Sequence, residues 1–182
     1  MMKDTLMKIH WLIPFGIAAA PMAQVAYAAQ YMSVEQAQRA AFPQATEFRP
    51  APLGADSLKA VTAPRGWAPK VWRALADGTG QGWLIADQVI GKSELITYAV
   101  ALDTNGAVLS VEILDYRESH GGEIRLAGWR RQFVGKTAAD PVDLNKDIRN
   151  ISGATLSCRH VTEGVQRLLK LYQAALRLQE RS

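Results

Sequence analysis

Cysteine is almost missing from this chain: Cys158 is the only one among 182 residues. A single thiol cannot close an internal disulfide, so the fold must rest on packing. No cysteine stands directly behind the amino-terminal apolar segment, which excludes lipid attachment there. Charge of one sign is lacking too. Lys and Arg total 21 against 17 Asp and Glu, a formal net charge of +4, and the basic residues are scattered among acidic ones. That distribution lacks the basic stripe that reads as a nucleic-acid footprint. Beyond residue 29 no segment approaches the ~20 apolar residues a spanning helix needs. Cys158 and His160 stand too close together, without further partners at zinc-like spacing, to suggest a metal centre.

What the first residues do have is the grammar of export. Lys3 and Lys8 precede the apolar run Trp11 to Ala20, and Ala26-Tyr27-Ala28 follows as a small-residue cleavage site. A positive start, a short apolar core and such a site describe a secretory signal peptide over residues 1–28. The alternative is an uncleaved anchor in the inner membrane facing the periplasm, against which Pro14, Pro21 and Gln24 argue. Either way the remainder is expected in the periplasm, as one domain large enough to bury a core.

Local patterns divide this remainder into an amino-terminal helix and extended segment over 29–79, followed by a main unit over 80–182. Ser33-Val-Glu-Gln36 fits a capping box, predicting a helix that runs to about Phe42 and stops at Pro43. The proline-rich stretch 44–70 reads as short extended pieces and loops. From Val71 the apolar period becomes two. Strands are predicted over Val71 to Leu75, Trp83 to Ile90, Ile96 to Leu102 and Ala107 to Leu114. The third of these has one face buried, and the last carries Leu109, Val111 and Ile113 on one face. Asn105-Gly106 reads as a hairpin turn. A short helix is expected over Leu126 to Phe133. A long terminal helix follows, with Val161, Val165, Leu168 and Tyr172 as its apolar stripe and Arg167, Lys170, Arg177 and Arg181 toward its carbonyl end. The fold class is α+β: a twisted antiparallel sheet with packed helices.

Ser152-Gly153-Ala154-Thr155 stands directly before the terminal helix. A helix start offers unpaired N–H groups and partial positive charge, which suit a phosphate. Gly153 and Ala154 leave room beside the backbone, and Thr155 adds a hydroxyl. The same residues also read as an ordinary entrance with Thr155 or Ser157 as cap.

Ile151-Ser-Gly-Ala-Thr-Leu-Ser157 resembles the flavin-attachment motif of the FMN-binding domain family, whose members include components of the sodium-pumping NADH:quinone reductase and of the Rnf electron-transport complex. The resemblance is carried further by Tyr116-Arg-Glu-Ser-His-Gly-Gly-Glu-Ile124 and by Trp129, Phe133, Gly135 and Lys136, and it covers residues 80–175. It is closest to small, exported, stand-alone members. The resemblance implies FMN bonded through a phosphoester to Thr155 by a separate flavin transferase, which uses FAD and Mg²⁺ and releases AMP. It implies phosphate contacts from Ser152, Gly153, Ala154 and Leu156, and ring contacts from Glu118, His120, Gly121, Gly122 and Glu123. Trp129 would cover the ring or fill the core. One position departs from the pattern: Arg149 stands six residues before Thr155, where the family usually has an Asp, and the nearest Asp is Asp147. Either the transferase tolerates this, or FMN is held without the covalent bond.

Three functions are compatible with these residues. The first is an electron carrier served by a membrane or periplasmic redox partner, since no Gly-x-Gly-x-x-Gly nicotinamide fingerprint is present. The others are a stand-alone flavin reductase with a small acceptor, and a non-redox binding or regulatory module.

Overall fold

A computed structural model of the chain describes residues 29–179. The expected signal peptide and Arg181 lie outside the described residues. Among those described, no helix is long and apolar enough to cross a membrane.

Six strands form one antiparallel sheet: β1 (Ala29–Gln30), β2 (Glu47–Pro50), β3 (Lys70–Ala76), β4 (Thr79–Ile90), β5 (Leu95–Leu102) and β6 (Val108–Tyr116). Their order across the sheet is β1-β6-β5-β4-β3-β2, so the central four make the expected meander. The capping box is present as read. The Gln36 N–H donates to Ser33 Oγ at 3.2 Å and the Ser33 N–H to Gln36 Oε1 at 2.7 Å, opening α1 (Val34–Ala41). The proline-rich stretch supplies β2 and one short helix, α2 (Ala55–Lys59).

Two strand readings are corrected. Both faces of β5 are buried, not one. Ile96, Tyr98, Val100 and Leu102 face the main core, while Ala99 and Ala101 pack with Ala37 and Phe42 beneath α1. Small side chains on that face admit the helix, and they leave no polar alternation to mark it. On β6 the register slips where Ala101 pairs with Ser110 but Leu102 pairs with Val108. Leu109 is thereby bulged outward and 40% exposed, and Val108 takes its place in the core beside Val111 and Ile113. The hairpin between β5 and β6 turns on Asp103, whose Oδ1 accepts the N–H groups of Asn105 and Ala107 at 2.8 Å each. Gly106, not Asn105, takes the left-handed conformation there.

After β6 the chain makes a 3₁₀ turn (Gly122–Arg125), α3 (Ala127–Arg130) and a second 3₁₀ turn (Arg131–Phe133), where the sequence suggested one helix. The terminal helix α4 (Thr155–Leu171) continues through a π-helical segment (Tyr172–Leu176). Its predicted stripe of Val161, Val165, Leu168 and Tyr172 is buried on the sheet. Apolar burial supplies the driving force for this docking, but a polar cluster marks its position. Asp87 on β4 accepts the Tyr98 hydroxyl at 2.8 Å, the Trp67 indole N–H at 2.9 Å and the Arg167 guanidinium at 3.3 Å. Arg167 also lies over the Trp67 ring, 5.3 Å from its centroid. Burial, and then the Asp87 charge, hold the Tyr98 phenol well above its ordinary value, so it remains a donor.

Gly164 is what lets α4 come this close. A β-carbon there would stand 2.2 Å from the Tyr98 hydroxyl oxygen. In an open helix Gly→Ala gains about 1 kcal/mol. Here the clash decides the sign, and Gly164→Ala is expected to lose about 1–3 kcal/mol, read as a lower urea midpoint with unchanged slope. Asp87→Ala leaves the Arg167 charge and two donors without their acceptor, and is expected to cost about 3–5 kcal/mol in the same measurement. A loss below about 1 kcal/mol would mean that water reaches the cluster.

Candidate functional site

The glycine loop and the start of α4 meet at one end of the sheet. Gly121 has φ 81°, and a β-carbon on it would stand 2.8 Å from the Tyr116 oxygen and 3.0 Å from the Ala154 β-carbon. A glycine is therefore required on two counts, conformation and space. Tyr116 ties the same two pieces together. Its hydroxyl donates to the His120 carbonyl and lies 3.2 Å from Ser157 Oγ in the first turn of α4. Burial raises the Tyr116 phenol more than the Ser157 bond lowers it, so it too stays protonated.

At the helix entrance neither Thr155 nor Ser157 is a cap. Ala154 occupies the N-cap position with no side-chain bond, and Ser157 is buried against Tyr116. Among the described residues no side chain caps the first N–H groups of α4, which fits a phosphate at this end. Gly153 is left-handed, at φ 84°, with nothing within 4 Å of where a side chain would project. Thr155, half-buried, accepts a bond from Asn150 Nδ2 at 3.0 Å. Asn150 in turn accepts the Ile151 N–H at 2.9 Å. This orients the Thr155 oxygen, and among the described residues its hydroxyl hydrogen has no acceptor.

A cleft of about 550 Å³ opens between Gly153–Ser157 on one side and Lys92, Ser93, Glu118, Ser119 and His120 on the other. A second, of about 420 Å³, lies across the loop, lined by Tyr31, Tyr116, Arg125, Leu126 and the loop residues from Glu118 to Glu123. The expected residues are therefore only partly brought together. Gly153, Ala154, Thr155 and Leu156 line the first cleft, Gly121, Gly122 and Glu123 the second, Glu118 and His120 stand between the two and line both, and Ser152 stands exposed outside both linings. Glu118 is not free to serve a ligand with both oxygens. Its Oε1 accepts the N–H groups of Ser93 at 2.6 Å and Glu94 at 3.0 Å. Burial works to raise the Glu118 carboxyl, but these donors prevail and hold it below the usual carboxylate range. His120 is exposed, with Nδ1 on Ser119 Oγ at 2.9 Å.

Trp129 belongs to the core. It is buried edge-on against Phe133, and its indole N–H donates to the Arg149 carbonyl at 2.8 Å. Gln132 Oε1 accepts the Arg149 N–H at 2.8 Å, so the backbone at 149 is pinned while its side chain is exposed. Asp147 does not substitute for an acid at 149. It pairs with Lys136 at 2.8 Å and accepts the N–H groups of Asp143 at 2.6 Å and Val142 at 3.2 Å. Against the opposing effect of burial, these partners lower its carboxyl below the usual range. Cys158 is wholly buried, and burial raises its thiol. Asn150, Tyr116 and Lys92 were not singled out from the sequence. The nearest signal was Asn150, five residues before the Thr155 it orients.

No curated protein matches the chain. Residues 91–170 match the family model described as the FMN-binding domain. The matched stretch takes in β5 and β6, the glycine loop, α3 and all but the last residue of α4, and so contains both walls of the larger cleft. Over residues 91–170, less than half of the chain, the protein is similar to the FMN-binding domain family.

Proposed function

We propose that this protein is an exported electron carrier whose FMN is bonded through its phosphate to Thr155. The observation that carries the reading is the Thr155 hydroxyl, held by Asn150 at an uncapped helix start and facing the loop that the family model includes. In the attachment step the Thr155 Oγ–P bond forms and the pyrophosphate P–O bond of FAD breaks. AMP leaves, and the hydroxyl proton passes to a base of the flavin transferase. The bound flavin supplies one- and two-electron chemistry. The chain's own residues supply the rest. Thr155 anchors, and the N–H groups at the start of α4 face the phosphate charge, an interaction of about 0.3–1 kcal/mol where exposed. Tyr116 fixes the loop against the helix. The leader supports a periplasmic location, and electrons then arrive from a membrane or periplasmic partner protein.

Non-covalent FMN in the same cleft is the second reading. It is favoured by Arg149 at the position the transferase reads and by Asp147 being bound elsewhere. Intact mass separates the two. Protein coexpressed with a flavin transferase is expected to gain the mass of FMN less one water, located on the peptide containing Thr155, and Thr155→Val to lose that gain completely. Yellow colour that acid precipitation strips from the wild type would establish the second reading, and colourless protein with no affinity for FMN would remove both.

Arg149 yields a separate prediction. Arg149→Asp alters an exposed side chain on a pinned backbone, so the fold is expected to persist. The flavinylated fraction is expected to rise severalfold under limiting transferase, measured from the same mass spectra.

A further inference from the structure

The turn between β4 and β5, residues 91–94, is fastened from two directions. From the glycine loop, Glu118 accepts the N–H groups of Ser93 and Glu94, and the Lys92 N–H contributes as well. From α4, His160 Nδ1 meets the Ile90 carbonyl at 2.6 Å and the Gly91 carbonyl at 3.2 Å, which makes that nitrogen the donor. Gly91 is buried beneath Glu118, where a β-carbon would stand 2.5 Å from Oε1. A turn clamped in this way presents its tip in a fixed place. The tip is Lys92, which lines the larger cleft opposite Thr155.

That wall therefore carries one charge of each sign, differently committed. The Glu118 carboxylate is turned to backbone donors, with the Lys92 charge also helping to hold it ionised, whereas Lys92 is exposed at the cleft and forms no salt bridge among the described residues. Of the other cations near the loop, Arg117 is paired with Asp115 at 2.9 Å, and Arg125 belongs to the second cleft. It donates to the Gly122 carbonyl at 2.8 Å and lies over the Tyr31 ring at 4.1 Å. We propose that Lys92 is the cation that faces the bound flavin in the Thr155 cleft and raises its reduction potential. The inference rests on the FMN reading above. Electrons added to a flavin bring negative charge, and a fixed cation beside it favours that state electrostatically.

The test uses the full chain carrying flavin, with potentials measured by spectroelectrochemistry at low and high salt. Lys92→Gln is expected to shift the equilibrium toward oxidised flavin by about tenfold, which is about 30 mV for a two-electron couple. Lys92→Glu is expected to shift it further, and both shifts shrink at high salt. Lys92→Arg is expected to restore the wild-type value, and Lys70→Gln, on β3 away from the cleft, to leave it unchanged. Potentials of the Gln and Glu variants within about threefold of the wild-type equilibrium, with flavin still bound, would overturn the role of Lys92 and leave the FMN reading standing. A wild-type protein with no flavin would remove the FMN reading, and the inference with it.

Discussion

The contact between Asp87 and Arg167 sets the position of everything at the functional end of the molecule. Apolar burial alone would tolerate α4 sliding along the sheet, because Val, Leu and Ala present similar surfaces at successive turns. A buried carboxylate with three donors does not tolerate a slide, since each displaced partner would be stranded away from water. Asp87, Tyr98, Trp67 and Arg167 therefore act as a register pin between β4, β5 and α4. Thr155 lies twelve residues before Arg167, about 18 Å along the helix. The pin thus places the threonine without touching it.

At the other end of the same helix, placement is steric as well as polar. The Tyr116 hydroxyl joins the His120 carbonyl to the Ser157 region, and Gly121 fits against Ala154 with no room for a side chain. The two walls meet at this seam. Since Tyr116 lies at the end of β6 and Thr155 at the start of α4, the cleft inherits its geometry from the helix–sheet packing. That is why small residues at 121 and 154 matter. They admit the close approach, while Gly153 leaves open space beside the Thr155 hydroxyl at the helix mouth.

Features generated by periodic or local patterns were legible in the sequence. The Ser33–Gln36 box and the 3.6-residue stripe of α4 each arise within a few residues of one another, whereas the alternation on β5 marks the strand but not the burial of its second face. The short motif before α4, taken with the glycine loop, located the two walls. The bulge at Leu109 left no trace, because Val108 and Leu109 are both apolar and the slip is decided by the partner strand. Ala99 and Ala101 read as neutral until α1 is seen above them. Glu118 entered as a ring contact only through the family resemblance. Its partners lie 24 and 25 residues earlier in the chain, on a turn whose N–H groups carry no sequence signature. Lys92 was missed for the same reason, since what makes it informative is the clamp around it.

These pairings also bear on whether the cleft relays electrons or turns over a substrate. Proton-coupled turnover needs a group near the flavin that can change protonation state at working pH. Glu118 is held ionised by backbone donors, and Tyr116 is held protonated by burial with its hydrogen given to His120. Both are fixed in one state by the contacts that build the cleft. Lys92 contributes charge, not a proton, at neutral pH. His120 is the ionisable side chain of the cleft that the framework bonds leave exposed, its Nδ1 meeting only Ser119. The proposed relay and a turnover of a bound acceptor therefore part at this one side chain, since the other ionisable groups named here are committed to the shape of the cleft or to its charge.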